Sequence, residues 1–208
     1  MKIGILGAGS VGGTLGKGWA KAGHQVLFGV RDPAAAKVQT LLDEAGKRAC
    51  ADTLRQAVDF GEAVLLALPW EAVEEVLDDL GDFGGKVLID ATNPLDDDLE
   101  LTRGHTTSGG ERVAELADNA RVVKAFCSTG FTNMADPAYS DGPVTDFHCG
   151  DDEDAKATVH ALATDLGFDP VDAGPLKMAR DLEPLAHLWI RLAMGGLGRD
   201  IAYRLMRR

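Results

Sequence analysis

The stretch Lys2-Ile3-Gly4-Ile5-Leu6-Gly7-Ala8-Gly9-Ser10-Val11-Gly12 opens the chain just after Met1 and decides its fold class. Residues 2–6 form a short apolar run that stops at a glycine, and from residue 10 onward Val11, Leu15, Trp19 and Ala22 recur at helical spacing. Strand, glycine-rich turn and helix follow in that order. Gly23-His24 closes the helix, and residues 25–30, carrying Val26, Leu27, Phe28 and Val30, predict a second strand. One βαβ unit is thus complete by about residue 31.

The alternation continues along the chain. Helical stretches are expected at 33–45 and 52–59, followed by the unbroken apolar run Ala63-Val64-Leu65-Leu66-Ala67-Leu68, which Pro69 ends. Runs of this kind suit strands covered on both faces of a parallel sheet. A helix over 70–80, a strand at 86–90, a helix near 109–118 and a strand at 121–125 come next. With right-handed crossovers, this order predicts a doubly wound, Rossmann-type α/β fold with a parallel sheet. A loop rich in Gly, Asp and Pro is expected at 128–143, then a strand at 144–149, a helix opening at Asp151-Asp152 and a strand at 168–171. From 176 to 208, Leu182, Leu185, Trp189, Leu192, Ile201 and Leu205 lie at helical intervals, predicting a long or glycine-broken helix.

With 208 residues, 45% of them hydrophobic and 26% charged, the chain has the balance of a globular protein with one domain, or one domain and a small extension. Its formal net charge of -12 argues against nucleic acid as a partner. Any phosphate it holds must therefore be met by local amides and one or two well-placed cations. Cys50, Cys127 and Cys149 have neither disulfide nor zinc spacing. No stretch approaches a membrane span, and a cytoplasmic protein is expected. The histidines show no metal-ligand pattern. The acidic runs Asp96-Asp97-Asp98 and Asp151-Asp152-Glu153-Asp154 lack calcium-loop spacing. No metal is expected.

Gly7-x-Gly9-x-x-Gly12 stands between a predicted strand and a predicted helix, the context that a dinucleotide fingerprint requires. Gly7 permits the tight turn, Gly9 lets a pyrophosphate approach the backbone, and Gly12 lets helix and strand pack closely. At the end of the second strand, Gly29-Val30-Arg31-Asp32 puts Val30 in the place where an NAD enzyme carries an acid, leaving Arg31 to reach a 2′-phosphate. That favours NADP. The competing reading gives the ribose to Asp32 and leaves Arg31 as a surface charge. Ligands lie over the carboxyl ends of the strands, which gives weight to Leu68-Pro69-Trp70-Glu71, Ala91-Thr92-Asn93-Pro94 and Phe126-Cys127-Ser128-Thr129. No histidine marks a general acid, and Cys127 beside Phe126 reads as a quiet thiol, so no catalytic side chain is assigned.

Lys2 to Gly9, Gly29-Val30-Arg31, Leu66-Ala67-Leu68-Pro69-Trp70-Glu71, Cys149-Gly150-Asp151-Asp152 and Asp172-Ala173-Gly174-Pro175-Leu176 together resemble the NADPH-dependent reductases of the deazaflavin coenzyme F-420. The fold is also similar to the oxidoreductase domain of membrane metalloreductases. The resemblance implies hydride transfer between NADP(H) and a deazaflavin or flavin, which needs orientation rather than a protein acid or base. It implies that Gly9, Ser10 and Val11 hold the pyrophosphate, Arg31 the 2′-phosphate, and Leu68 and Asn93 the nicotinamide side. It further implies a small C-terminal part, residues 144–208, that joins the dinucleotide-binding part, residues 1–143, in forming a cleft and a homodimer. Val30 stands where the family commonly has Ser or Thr. Two other readings remain. One is a small imine or hydroxyacid reductase, which would need a catalytic Lys on a helical second domain. The other is an NADP-binding redox sensor without turnover, whose C-terminal helix would fill the space beside Asn93 and Phe126.

Overall fold

A computed structural model describes all 208 residues. It opens with β1 (Lys2–Leu6), α1 (Ser10–Ala22) and β2 (Gln25–Gly29), in which β1 and β2 run parallel with Ile5 opposite Phe28. There follow α2 (Ala36–Ala45), β3 (Ala49–Asp52), α3 (Leu54–Phe60), β4 (Ala63–Leu66), α4 (Val73–Leu80), β5 (Val87–Asp90), α5 (Gly109–Leu116) and β6 (Arg121–Lys124). All the pairings from β3 to β6 are parallel. The chain ends with α6 (Phe131–Ala135), β7 (Thr145–Gly150), α7 (Glu153–Asp165), β8 (Asp169–Asp172) and α8 (Ala179–Leu192). The sheet has eight strands in the order β3-β2-β1-β4-β5-β6-β7-β8. The order reverses between β1 and β4, so their carboxyl ends flank the crevice where ligands of doubly wound sheets bind.

Two packed cores cover the two faces, as strand alternation dictates. Ile3, Ile5 and Leu65 join Trp19, Phe28, Phe126 and Phe168 on the face of α1 and α7. Leu6, Val64 and Leu66 join Val73, Leu77, Val113 and Leu182 on the face of α4, α5 and α8. Each such side chain contributes about 1.5–3 kcal/mol by leaving water.

The structure corrects three sequence expectations. β3 is a strand where only the gap between two helices was expected. Its residues Ala49-Cys50-Ala51-Asp52 alternate between half-buried and exposed at the sheet edge, with too little apolar bulk to announce a strand. Within the expected loop 128–143, Phe131–Ala135 is helical. The C-terminal helix stops well before Ile201 and Leu205. Leu192 ends α8, a π-helical turn spans Ala193–Leu197, and Gly196 (φ 114°) and Gly198 (φ 74°) take left-handed conformations that break the path. The tail beyond is held by tertiary bonds. The Ile201 carbonyl accepts from Trp189 Nε1 and Asn133 Nδ2, each at 2.7 Å, and Tyr203 O accepts the Thr145 N–H at 3.0 Å.

β7 joins β6 antiparallel, because the connection after β6 contains only the five-residue α6 and delivers the chain to the same end of the sheet. The 13 residues of α7 then carry it back to pair β8 parallel with β7. No helix is long and apolar enough to cross a membrane.

Candidate functional site

The site begins at the turn from β1 into α1. Gly7 has φ +107°, and a Cβ there would stand 2.6 Å from the Ala67 carbonyl. A Cβ on Gly12 would strike the Gly7 carbonyl. Both glycines are therefore demanded by the protein itself. Gly9 differs, since a Cβ there would meet nothing within 4 Å. No side chain caps α1 at Gly9, and its first turn holds no acid, so the leading N–H groups point from a positive helix end into open space.

That space is part of a cavity of about 560 Å³. Of the residues the sequence singled out, Gly7, Ala8, Gly9, Val30, Arg31, Leu68 and Pro69 line it. Ser10, Val11 and Gly12 form the first turn of α1 beside it. Asp32, to which the competing reading gave the ribose, and Glu71 of the strand-end turn line it too, and the lining residues that sequence reasoning missed include Lys37, Leu54 and Glu75. Lys37 was legible only as a charge five residues past Asp32. Its place on the rim depends on the turn that Asp32 makes by accepting the Ala34 N–H at 3.0 Å. Arg31 and Lys37 are exposed, and neither forms an ion pair with another residue. The cavity wall thus brings together two cations without ion-pair partners and the uncapped start of α1, groups that suit a ligand carrying phosphates.

Other expected residues lie outside this cavity. Trp70 borders a neighbouring hollow of about 170 Å³ with Arg103 and Arg112. Phe126, with φ 55°, is buried in the core, edge-on to Trp19 and Phe168 at 5.8 Å from each. Thr92, Asn93 and Pro94 continue from β5. Asn93 donates to the Cys127 carbonyl at 3.2 Å, and its Oδ1 is buried without a partner.

Around this turn lies a buried charge network that sequence reasoning did not find. Lys124 on β6 lies beside Asp90 on β5, and its Nζ donates to Asp90 Oδ2 at 2.9 Å and to the Thr92 carbonyl at 2.6 Å. It also stands 3.0 Å from Glu183 Oε1 on α8. Burial alone would discharge Lys124, but the charges of Asp90 and Glu183 outweigh it and hold the ammonium well above the usual lysine range.

The thiols are quiet. Burial pushes Cys127 far up, and Cys149 up to about 12, against the opposing pull of Lys124. Asp146 on β7 is buried with one partner, the Phe126 N–H at 2.9 Å, and burial pushes its carboxyl up to about 7. No group of three or more His, Cys, Asp and Glu side chains is placed to hold a metal ion.

The fold and this cavity define a dinucleotide-binding α/β protein of the doubly wound class. A family model described as NADP oxidoreductase, coenzyme F420-dependent, matches residues 2–94. The F420-dependent NADP reductase of Methanothermobacter marburgensis is 31% identical, covering 99% of this chain and 98% of that one. The metalloreductase STEAP3 of Rattus norvegicus is 30% identical over 88% of this chain, which spans only 36% of that protein's length. A crystal structure from Arthrobacter sp. FB24, described as a candidate F420-dependent NADP-reductase, superposes with a TM-score of 0.87 at 29% identity and covers 100% of both chains. The chain belongs to the F420-dependent NADP oxidoreductase family.

Proposed function

We propose that the protein moves a hydride between NADP(H), bound along the 560 Å³ cavity, and a deazaflavin or flavin acceptor. The open space at Gly9 before an uncapped helix end carries the reading, because the cradle is kept free by a residue whose own fold would accept a larger side chain. In this assignment Gly9, Ser10 and Val11 hold the pyrophosphate on backbone amides. Arg31 and Lys37 hold a 2′-phosphate, the feature that separates NADP from NAD, while the turn engages the Asp32 carboxylate. The unpartnered Asn93 Oδ1 needs a donor to offset its burial, and a carboxamide N–H supplies one. When bound, the nicotinamide supplies the hydride. No proton moves to a protein side chain, in keeping with quiet thiols and the lack of a suitable histidine. Stopped-flow absorbance with NADPH and either coenzyme F-420 or FMN tests this, and absence of NADPH oxidation by either acceptor overturns it.

One observation favours a second reading, an NADP-binding sensor without turnover. The cavity lining includes neither Asn93 nor Phe126. The same experiment separates the two, since the sensor binds NADPH and oxidises none.

Residues 144–208 serve a second copy of the chain in this proposal. Leu188 (50% exposed), Leu192 (38%), Met194 (68%) and Leu197 (63%) form an apolar surface along α8 and its continuation. A homodimer covers that face, and light scattering of Leu192→Glu should report a monomer. The three unpaired cysteines fit a reducing, cytoplasmic setting.

A further inference from the structure

The three charges of Asp90, Lys124 and Glu183 are completely removed from solvent, and nucleotide recognition in the cavity uses none of them. Burying three charges is costly, and a well-packed apolar trio of similar volume commonly serves stability as well or better. What the charges provide that apolar groups do not is direction. The Lys124 ammonium donates to Thr92 O at 2.6 Å and to Asp90 Oδ2 at 2.9 Å, and Glu183 Oε1 stands 3.0 Å away as its second ion-pair partner.

Thr92 is consequently held from every polar side. Asp90 Oδ1 accepts its N–H at 2.9 Å and its hydroxyl at 2.6 Å, while its carbonyl accepts from Lys124. The next residue is Asn93, whose amide is tied to Cys127 and whose Oδ1 is left over. Glu183 fixes the other side of the turn. Its Oε2 accepts the Gly109 N–H at 2.8 Å and its Oε1 the Gly110 N–H at 2.9 Å, so it occupies the start of α5. Gly109 in turn lies so close to Pro94 and Trp70 that a Cβ would stand 3.2 Å from each.

We infer that Lys124 and Glu183 are positioning residues for hydride transfer. Through Thr92 and through the start of α5 they fix Asn93 and Pro94 relative to the nucleotide cavity, making the C-terminal helix a part of the site without contact with ligand. This rests on the hydride-transfer reading above.

The test uses the full chain. Lys124→Met is compared with the charge-free Asp90→Asn/Lys124→Met/Glu183→Gln triple variant, which leaves no uncompensated charge should the single variant fail to fold. Lys156→Met serves as a control, because Lys156 on α7 bridges Asp172 at 2.8 Å and Glu153 at 2.9 Å in an ion network that shares no residue with Asp90, Lys124 or Glu183. Expected for the triple variant is an NADPH Kd within about threefold of wild type and a single-turnover hydride-transfer rate lower by about tenfold or more, a 1 Å misplacement of reacting groups costing on the order of 100-fold. The control should transfer hydride at the wild-type rate. A triple variant as fast as wild type, or a control as slow as the triple, overturns the inference. If the wild type itself oxidises no NADPH, the hydride-transfer reading fails separately. The fluorescence lifetime of bound NADPH then decides, and identical lifetimes in wild type and triple variant overturn the positioning role.

Discussion

Replacing Gly9 by Ala separates ligand binding from folding more cleanly than any other change in the turn. Gly9 has φ -77° and ψ -167°, a backbone that alanine adopts without strain, and the added methyl meets no protein atom within 4 Å. Losing glycine at the helix cap costs up to about 1 kcal/mol. The stiffer unfolded chain returns about 0.4–1 kcal/mol. The melting temperature should hardly move. A pyrophosphate seated on the α1 amides would be pushed out by the methyl, losing two charge-assisted hydrogen bonds at about 1.5–3 kcal/mol each. The NADPH Kd should therefore rise by on the order of 100-fold or more. Gly12→Ala should do the reverse. Its Cβ runs into the Gly7 carbonyl and lies 3.2 Å from Ile5 Cγ2 and 3.3 Å from Ala67 Cβ. Overpacking of this kind costs about 1–3 kcal/mol. Thermal circular dichroism and calorimetric titration with NADPH read the two quantities. A Gly9→Ala protein that melts as wild type and binds NADPH with the wild-type constant refutes the reasoning.

Three further outcomes are expected. Arg31→Ala should weaken NADPH binding by roughly tenfold to 100-fold while leaving NADH unchanged, since only the former carries the 2′-phosphate; equal losses for both nucleotides would give the ribose to Asp32. The buried Asp146 carboxyl, raised to about 7, favours the folded state when protonated, so its contribution is full below about pH 4 and is lost as pH rises to about 7. Denaturant titrations of Asp146→Asn should show it more stable than wild type at pH 8 and less so at pH 5, and parallel curves would contradict this. Burial lowers the pKa of His148, so its neutral form suits the fold and stability should fall as pH drops below about 6.5, with a shallower fall in His148→Asn.

Much of the architecture was legible because its signals are local. The apolar run at residues 2–6, the glycine spacing and the 3.6-residue recurrence in α1 all lie within 22 residues, and steric and hydrogen-bonding rules act over that range. Arg31 was legible for the same reason, lying two residues past β2. β3 was not, because its strand character comes from pairing with β2 at the sheet edge rather than from its small side chains. The C-terminal tail misled because apolar spacing alone does not distinguish a helix from an extended segment whose polar backbone is bonded to Trp189, Asn133 and Thr145.

By itself, the sequence determined that β1, a glycine turn and α1 follow one another, and that Arg31 follows β2. The tertiary structure alone decided which glycine the chain's own packing demands and which it does not. Gly9 faces open space, whereas a Cβ on Gly7 or Gly12 meets backbone from Ala67 or Gly7 itself. It also decided that Phe126 belongs to the core and that Glu183, 59 residues beyond Lys124 in sequence, shares its charge. Contacts between distant segments leave no period or spacing in the chain. They exist only once the sheet has brought β5, β6 and α8 to the same place.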